Sequence, residues 1–492
     1  MLSNRQMDRL INDYFKAKGL PVTPALTFED ITIVDKFSDI PTRSAIKDTR
    51  GRLAQNMYLN APIISANMDT ITESAMAIAL ARLGGIGFIH QFLPIDKRCQ
   101  EIERVKRADS GIVEKPLLGL PSMTLKEAKS RMKLYNISSL LVVDEKTKKL
   151  VGILSHRDYQ FERDESKRIT DLMTRTKLVT ALYDISLEKA RAILSKHKVE
   201  KLPLVDKAGR LRGLMTTKDI QKTLEFPIAS RDRKGRLLVG GTVGIGNGVI
   251  DEVEALLNSE IDVIMIDTAR GNSKRMIEII MALRKKFGKQ VPFVAGNVDT
   301  VEGAVRLIEA GVDCVKVGIG GGSACKTRMG PGIGLPQITA VAQCAALAQH
   351  YGIPIIADGG IKNSSDFCKA LAVGASGVML GGLLSGTEET PGRPFYEDGE
   401  KWKIYRGSAS LEFQLSRIDR DESDAPMRTP EGVPKRVRYK GEARFVVDEL
   451  MGHLRSSMSY VGAWTLEEYH EKATCVWQTT SGFAEGKPHE VA

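Results

Sequence analysis

A nucleophile that attacks carbon must be ionised and reachable, and the run Lys316-Val-Gly-Ile-Gly-Gly-Gly-Ser-Ala-Cys-Lys-Thr-Arg328 sets one cysteine in such a place. Gly318, Gly320, Gly321 and Gly322 free the backbone to take φ > 0 and to approach a ligand closely, and Ser323, Thr327 and Arg328 flank Cys325. A free thiol ionises near pH ~8.5, so a nucleophilic Cys325 needs backbone N–H groups, a cation or a base beside it. Most free cysteines are buried core residues, which have no use for such neighbours. The preceding Gly311 to Gly318 alternates apolar residues at period two and reads as a strand, so Cys325 falls in the loop after that strand's C-terminal end.

The elements around this loop repeat one theme. Ala61-Pro-Ile-Ile-Ser-Ala66 reads as strand, Glu73 to Arg82 as helix and Gly84 to His90 as strand, a β-α-β unit. After residue 236 the alternation resumes, with strand-like runs at Leu237–Gly240, Val263–Asp267, Phe293–Asn297, Cys314–Val317, Ile355–Gly360 and Gly377–Gly382, and helical segments such as Val301 to Ala310 between them. Together they predict about eight strands and a (β/α)8 barrel, an α/β fold of the TIM-barrel type. Asp267, Asn297, Cys325 and Asp358 all fall at or just after strand C-terminal ends, the face on which such barrels do chemistry.

From about residue 113 to 226 the texture changes to an internal duplication. Thr124-Leu-Lys-Glu-Ala-Lys, Ile137 to Asp144 and Leu150 to Asp158 are matched in order by Ser186-Leu-Glu-Lys-Ala-Arg, Val199 to Asp206 and Leu211 to Asp219. Each copy closes on Ser/Thr-x-x-Asp, Ser155 to Asp158 and Thr216 to Asp219, which reads either as a helix N-cap or as a carboxylate for a ribose hydroxyl. The domain expectation is a barrel from 1–112 and 227–492, with an inserted module at 113–226 whose repeats span about 117–170 and 178–226.

The chain of 492 residues carries a net charge of +10, with Lys and Arg scattered, and has no basic stripe with interleaved aromatics. Nucleic-acid binding is therefore not expected. Six cysteines without paired spacing argue against a disulfide framework or a zinc site. The first twenty residues are charged throughout, and no apolar run reaches 18 residues, so neither a secretory signal nor a membrane span is expected. The expected location is cytoplasmic, or enclosed in an organelle.

The duplicated module resembles a tandem pair of cystathionine-β-synthase-type (CBS) domains, a family whose members bind adenine or guanine nucleotides as effectors. That resemblance implies effector contacts at Asp158, Thr216 and Asp219. The barrel resembles the IMP dehydrogenase/GMP reductase family over nearly the whole chain. The motifs that carry this are Ser65-Ala-Asn-Met-Asp-Thr70, Ala295-Gly-Asn297, Gly318 to Arg328, Gly334-Leu-Pro-Gln337, Ala357-Asp-Gly-Gly360, Gly386-Thr-Glu-Glu-Thr-Pro-Gly392 and Tyr405-Arg-Gly407. The resemblance implies that Cys325 adds to C2 of a purine mononucleotide. It implies that Ser65, Met68, Gly322, Ser323, Asp358, Gly359, Gly360, Gly381, Gly382, Tyr405, Gly407 and Glu431 bind that substrate, with Asp358 on the ribose and the glycines on the phosphate. Asp267, Thr268, Gly318 and Gly320 would face a nicotinamide cofactor. The carbonyls of Gly320, Gly322 and Cys325 would hold a monovalent cation such as K+, with a neighbouring subunit's tail near Glu485. A homotetramer, or an octamer, is implied as the assembly.

The family runs two reactions. Dehydrogenases of the family carry an Arg-Tyr pair before Pro-Glu-Gly to activate water; the stretch Asp419 to Gly432 here has none, and the residues after Tyr405-Arg-Gly407 are Ser408 and Ala409. Asn67, Arg455 to Ala463 and Gly482-Phe-Ala-Glu-Gly486 resemble the reductase branch, in which a Thr and a Glu handle departing ammonia; Thr327 and Glu389 are the matching positions. The expectation is an NADP-dependent GMP reductase, with an NAD-dependent IMP dehydrogenase as the alternative and a non-catalytic nucleotide sensor as the remote one.

Overall fold

The computed structural model describes residues 3–19, 25–109, 113, 116–135, 137–176, 178–407 and 433–487. They form two compact units, Met1–Lys106 with Ile228–Ser230 and Leu237–Ala492, and Arg107–Pro227 with Arg231–Arg236.

The first unit is a closed parallel barrel of eight strands. In chain order they are β1 (Ile63–Ser65), β2 (Ile86–Ile89), β3 (Gly240–Val243), β4 (Val263–Asp267), β5 (Phe293–Val298), β6 (Cys314–Val317), β7 (Ile355–Asp358) and β8 (Gly377–Leu380). Neighbours in sequence are neighbours around the barrel, and β8 closes on β1 through Val378 beside Ile63 and Leu380 beside Ser65. Parallel strands covered on both faces read as continuous apolar runs, and Val263, Ile264, Met265 and Ile266 are fully buried. Helices α1 (Ser74–Arg82), α2 (Ile95–Ala108), α3 (Val249–Asn258), α4 (Lys274–Phe287), α5 (Val301–Ala310), α6 (Gln337–His350), α7 (Ser364–Ala372) and α8 (Ala443–Tyr460) follow in the chain. Their starts are chemically marked, as where Thr300, Asn363 and Ser273 each accept a backbone N–H of the first turn.

One strand begins later than its sequence predicts. Leu237 to Val239 are apolar and buried, but they lead into the barrel rather than pairing in it: Leu238 donates its N–H to the Ser230 carbonyl and Val239 to the Asp262 carboxylate, so β3 starts at Gly240. Gly240 is obligatory there, since a Cβ would sit 2.4 Å from the Phe88 ring.

The second unit contains two three-stranded sheets of identical plan. Ser139–Val143 lies between Leu118–Gly119, parallel to it, and Leu150–Ser155, antiparallel; Lys201–Val205 lies likewise between Ala181–Leu182 and Leu211–Thr216. Each antiparallel pair shifts register at the equivalent step, Val142/Val143 and Leu204/Val205. Each half has its own apolar core, one around Leu125, Leu140, Val142 and Leu154, the other around Ala190, Leu202, Leu204 and Met215. No described helix is long and apolar enough to cross a membrane.

Candidate active site

The loop after β6 carries Cys325, and the thiol is exposed there. Its Sγ lies 3.1 Å from Thr327 Oγ1 and accepts the Thr327 N–H at 3.5 Å, while Cys325 donates its own N–H to the Gly322 carbonyl at 3.0 Å. The loop is pinned on two sides. Arg328 Nε donates to the Ile319 carbonyl at 3.1 Å and its guanidinium also bonds the Leu335 carbonyl, and Val433 N–H donates to the Ala324 carbonyl at 3.1 Å.

Several of the expected substrate residues come together beside this loop. A Cβ on Gly359 (φ +96) would fall 3.1 Å from Gly322 N, and one on Gly382 would fall 3.1 Å from Ser323 Oγ, so the ends of β7 and β8 press against the loop backbone. Tyr405, buried, accepts from Ser323 Oγ at 3.4 Å and donates weakly to Met68 Sδ at 3.8 Å; a Cβ on Gly381 would come within 3.0 Å of the Tyr405 hydroxyl. Burial pushes the Tyr405 phenol upward, so it stays a neutral donor. Gly322, Ser323, Gly359, Gly360, Gly381, Gly382, Tyr405 and Met68 thus form one glycine-rich group, of the composition that lets a backbone approach a ligand closely. Gly407 follows, buried. The segment leading to it is held by Arg406, whose guanidinium pairs with Asp69 and whose N–H donates to Thr70 Oγ1 at 3.2 Å.

Other expected residues are placed differently. Ser65 is fully buried and accepts from Thr72 Oγ1 at 2.7 Å, a contact that braces β1. Gly318 and Gly320 owe their identity to the protein's own packing: a Cβ on Gly318 would meet the Asp358 carbonyl at 2.0 Å, and one on Gly320 the Arg328 side chain at 2.4 Å. The Glu389 carboxylate accepts the N–H of Ala443, first residue of α8, at 2.9 Å, a helix-start contact. Glu431, and the stretch without Arg-Tyr, lie outside the described residues. Of the carbonyls expected to hold a cation, that of Gly322 already accepts from Cys325, and the adjacent Ile319 carbonyl accepts from the Arg328 guanidinium. No step below uses a cation.

The strand ends supply what the sequence reading overlooked. Lys316, 2 % exposed, projects its ammonium to 2.8 Å from both Asp267 Oδ1 and Asp358 Oδ2. Burial alone would lower the Lys316 pKa, but the two carboxylates outweigh it and hold the ammonium above its ordinary value. Asn297 Nδ2 donates to Asp358 Oδ2 at 2.8 Å and to the Gly318 carbonyl at 2.7 Å. Gln337, also buried, donates from Nε2 to the Val317 and Asp358 carbonyls at 3.0 and 3.1 Å, and its Oε1 has no hydrogen-bond partner among the described residues. The available signal was a lysine inside a wholly buried strand, which demands buried anions nearby. Asp267 and Thr268 stand at the end of β4, Thr268 tied to β5 by hydrogen bonds to Gly296 and from Asn297. The Asp267 carboxylate, 22 % exposed, can accept hydroxyls of a ribose and so fits the cofactor role.

An exposed cysteine in the loop after a barrel strand, beside a group of glycines at neighbouring strand ends, is the arrangement of a (β/α)8 enzyme. Comparison with known proteins narrows the class. A family model described as "IMP dehydrogenase / GMP reductase domain" matches residues 25–489. The inosine-5′-monophosphate dehydrogenase of Aquifex aeolicus (strain VF5) is 47 % identical over 475 residues, covering 96 % of each chain. That of Nitrosopumilus maritimus (strain SCM1) is 44 % identical over 472 residues, covering 95 % of this chain and 98 % of the other. Among solved structures, the GMP reductase of Trypanosoma brucei, a cysteine-to-alanine variant in complex with guanosine 5′-monophosphate, superposes with a TM-score of 0.86 at 38 % identity, covering 96 % of this chain and 98 % of that one. The same enzyme in complex with guanosine 5′-triphosphate gives 0.76 at 34 % identity, covering 93 % and 98 %. The chain belongs to the IMP dehydrogenase/GMP reductase family of oxidoreductases.

Proposed function

We propose that this chain is a GMP reductase, converting GMP to IMP and ammonia with oxidation of NADPH. The observation that carries the choice is the stretch 408–432, which contains no Arg-Tyr pair to activate the water that a dehydrogenase needs. The Cys325 thiolate adds to C2 of the purine, the 2-amino group takes a proton and leaves as ammonia, hydride arrives at C2, and the thiolate departs. NADPH, when bound, supplies that hydride. Thr327, 3.1 Å from the sulfur, is the hydroxyl positioned to pass the proton to the amine. Asp358 takes the substrate ribose, and the glycine-rich group its phosphate. The second reading, IMP dehydrogenase, rests on the 44 to 47 % identity to proteins of that name.

The duplicated unit is read as a CBS pair that senses purine nucleotides, supported by its two matching halves and by the guanosine 5′-triphosphate complex of the T. brucei relative. The enzyme works as a homotetramer or octamer in the cytoplasm, as the family resemblance implies.

Absorbance of the reduced nicotinamide tests the reading. It falls when GMP and NADPH are supplied, and does not rise with IMP and NAD; the reverse pattern establishes the dehydrogenase. Cys325→Ala abolishes turnover, by about a thousandfold or more, while GMP binding by titration calorimetry stays within about threefold. Retained turnover in that variant removes the covalent route.

A further inference from the structure

Lys316, in the barrel's mouth, touches both of the carboxylates expected to hold ligand. Asp267 ends β4 and Asp358 ends β7, strands that are not neighbours: β5 and β6 run between them. A single buried ammonium, 2.8 Å from each, is their shared partner. We infer that Lys316 is a positioning residue that couples the nucleotide half of the site to the cofactor half, so that filling one half sets the affinity of the other.

The coupling follows from the charges. One ammonium between two carboxylates cannot satisfy both as fully as it could satisfy one. Ligand hydroxyls that donate to Asp358 compete with Lys316 for the electron density of that carboxylate and release the ammonium toward Asp267. Asp267 is then held more firmly in the direction the cofactor ribose meets. The same exchange runs in reverse when the cofactor binds first, as linkage requires. Asn297 Nδ2 tethers Asp358 Oδ2 to the Gly318 carbonyl, so the carboxylate stays held while the ammonium moves. Room for the lysine is reserved by Gly296: a Cβ there would lie 2.8 Å from Lys316 Cβ and 2.4 Å from its carbonyl. A lysine serving barrel stability alone would need one counter-ion. Here both partners keep 22 % of their side chains exposed at strand C-terminal ends, where ligand meets them.

The inference rests on the reading of Asp358 as the nucleotide carboxylate and Asp267 as the cofactor carboxylate, and the test separates the two. Titration calorimetry on the full chain measures the GMP dissociation constant without cofactor and with saturating NADP+, a pair that cannot turn over; IMP with NADH serves in the same way. The wild type shows the two constants differing by about fivefold or more, within the range usual for coupled sites. Lys316→Met brings their ratio to about one, and Lys316→Arg, which keeps a cation able to reach both carboxylates, restores part of it. Should the methionine variant not fold, Asp267→Asn makes the same test, because it leaves the Lys316 and Asp358 pair intact and also brings the ratio to about one. A wild-type ratio of one, or a methionine or asparagine variant that keeps the wild-type ratio, overturns the coupling. Failure of the wild type to bind GMP or IMP at all overturns the functional reading instead.

Discussion

Asp358 at the barrel mouth and Asp158 in the inserted unit are two carboxylates for which the sequence offers the same task, holding a ribose, and their surroundings spend them differently. An ionised carboxylate has about four lone-pair sites. Asp358 uses one oxygen for Lys316 and Asn297, and its Oδ1 has no hydrogen-bond partner among the described residues. Asp158 accepts from Ser155 N and Oγ on Oδ2, at 2.6 and 2.7 Å, and from Thr174 Oγ1 on Oδ1, at 2.9 Å. The first is oriented by charge with acceptor capacity left over; the second is consumed in a capping box that starts the short helix His156–Tyr159. A strand-end carboxylate held by a cation remains available to a ligand in a way that a cap does not. Thr216 ends its strand in the second repeat, and Asp219 lies in the helix Thr217–Glu225 that follows.

The sharpest way to break this contrast is Asp358→Asn. It removes the charge-assisted acceptor and turns a donor toward Lys316 and Asn297, so nucleotide affinity should fall by about tenfold to a hundredfold, read by calorimetry. An unchanged constant would take Asp358 out of the ribose site. Excising residues 113–226 should abolish any response of turnover to ATP or GTP while basal turnover stays within about threefold, because each half of that unit has its own core; a response that survives excision moves the sensor elsewhere. Glu389→Gln extends the comparison to a third carboxylate. Since Glu389 serves the start of α8, the change should cost about 1 kcal/mol of stability in a denaturant titration and alter turnover less than about threefold. A hundredfold loss of turnover would return Glu389 to the proton-handling role expected from the sequence. The smallest effect is Asp158→Ala, which loses the cap and about 0.5–2 kcal/mol of the inserted unit's stability, with the nucleotide response changed less than about threefold. Loss of that response at unchanged melting would show that the carboxylate holds ligand after all.

The barrel was legible because parallel strands buried on both faces are continuous apolar runs with one polar residue at the end, and because the glycines around Cys325 cluster in sequence as they do in space. The duplication was legible from its order alone. What escaped depends on partners far along the chain. Glu389 bonds Ala443, 54 positions on, and nothing local distinguishes a catalytic carboxylate from one that meets a later helix. Lys316 reads as an interruption of a strand until β4 and β7 bring Asp267 and Asp358 to it. The bond of Ser65 to Thr72, and the closeness of Asp358 to Gly318 and of Arg328 to Gly320, likewise appear only once the chain is folded.

The pairing of β2 with β3 also bears on how the chain is made. Phe88 lies beside Gly240 and Ile89 beside Gly241, partners separated by about 150 residues that include the whole inserted unit, and Ile63 must wait for Val378. At a synthesis rate of about 5–20 residues per second, β1 and β2 stand with both edges open for roughly 8 to 30 seconds before β3 exists at all. Open parallel edges of apolar strands are prone to associate with other chains. The two halves of the insert close on local contacts and can complete their cores during that interval, so birth order is nested: the segment in the middle matures first and the barrel that encloses it in sequence matures last.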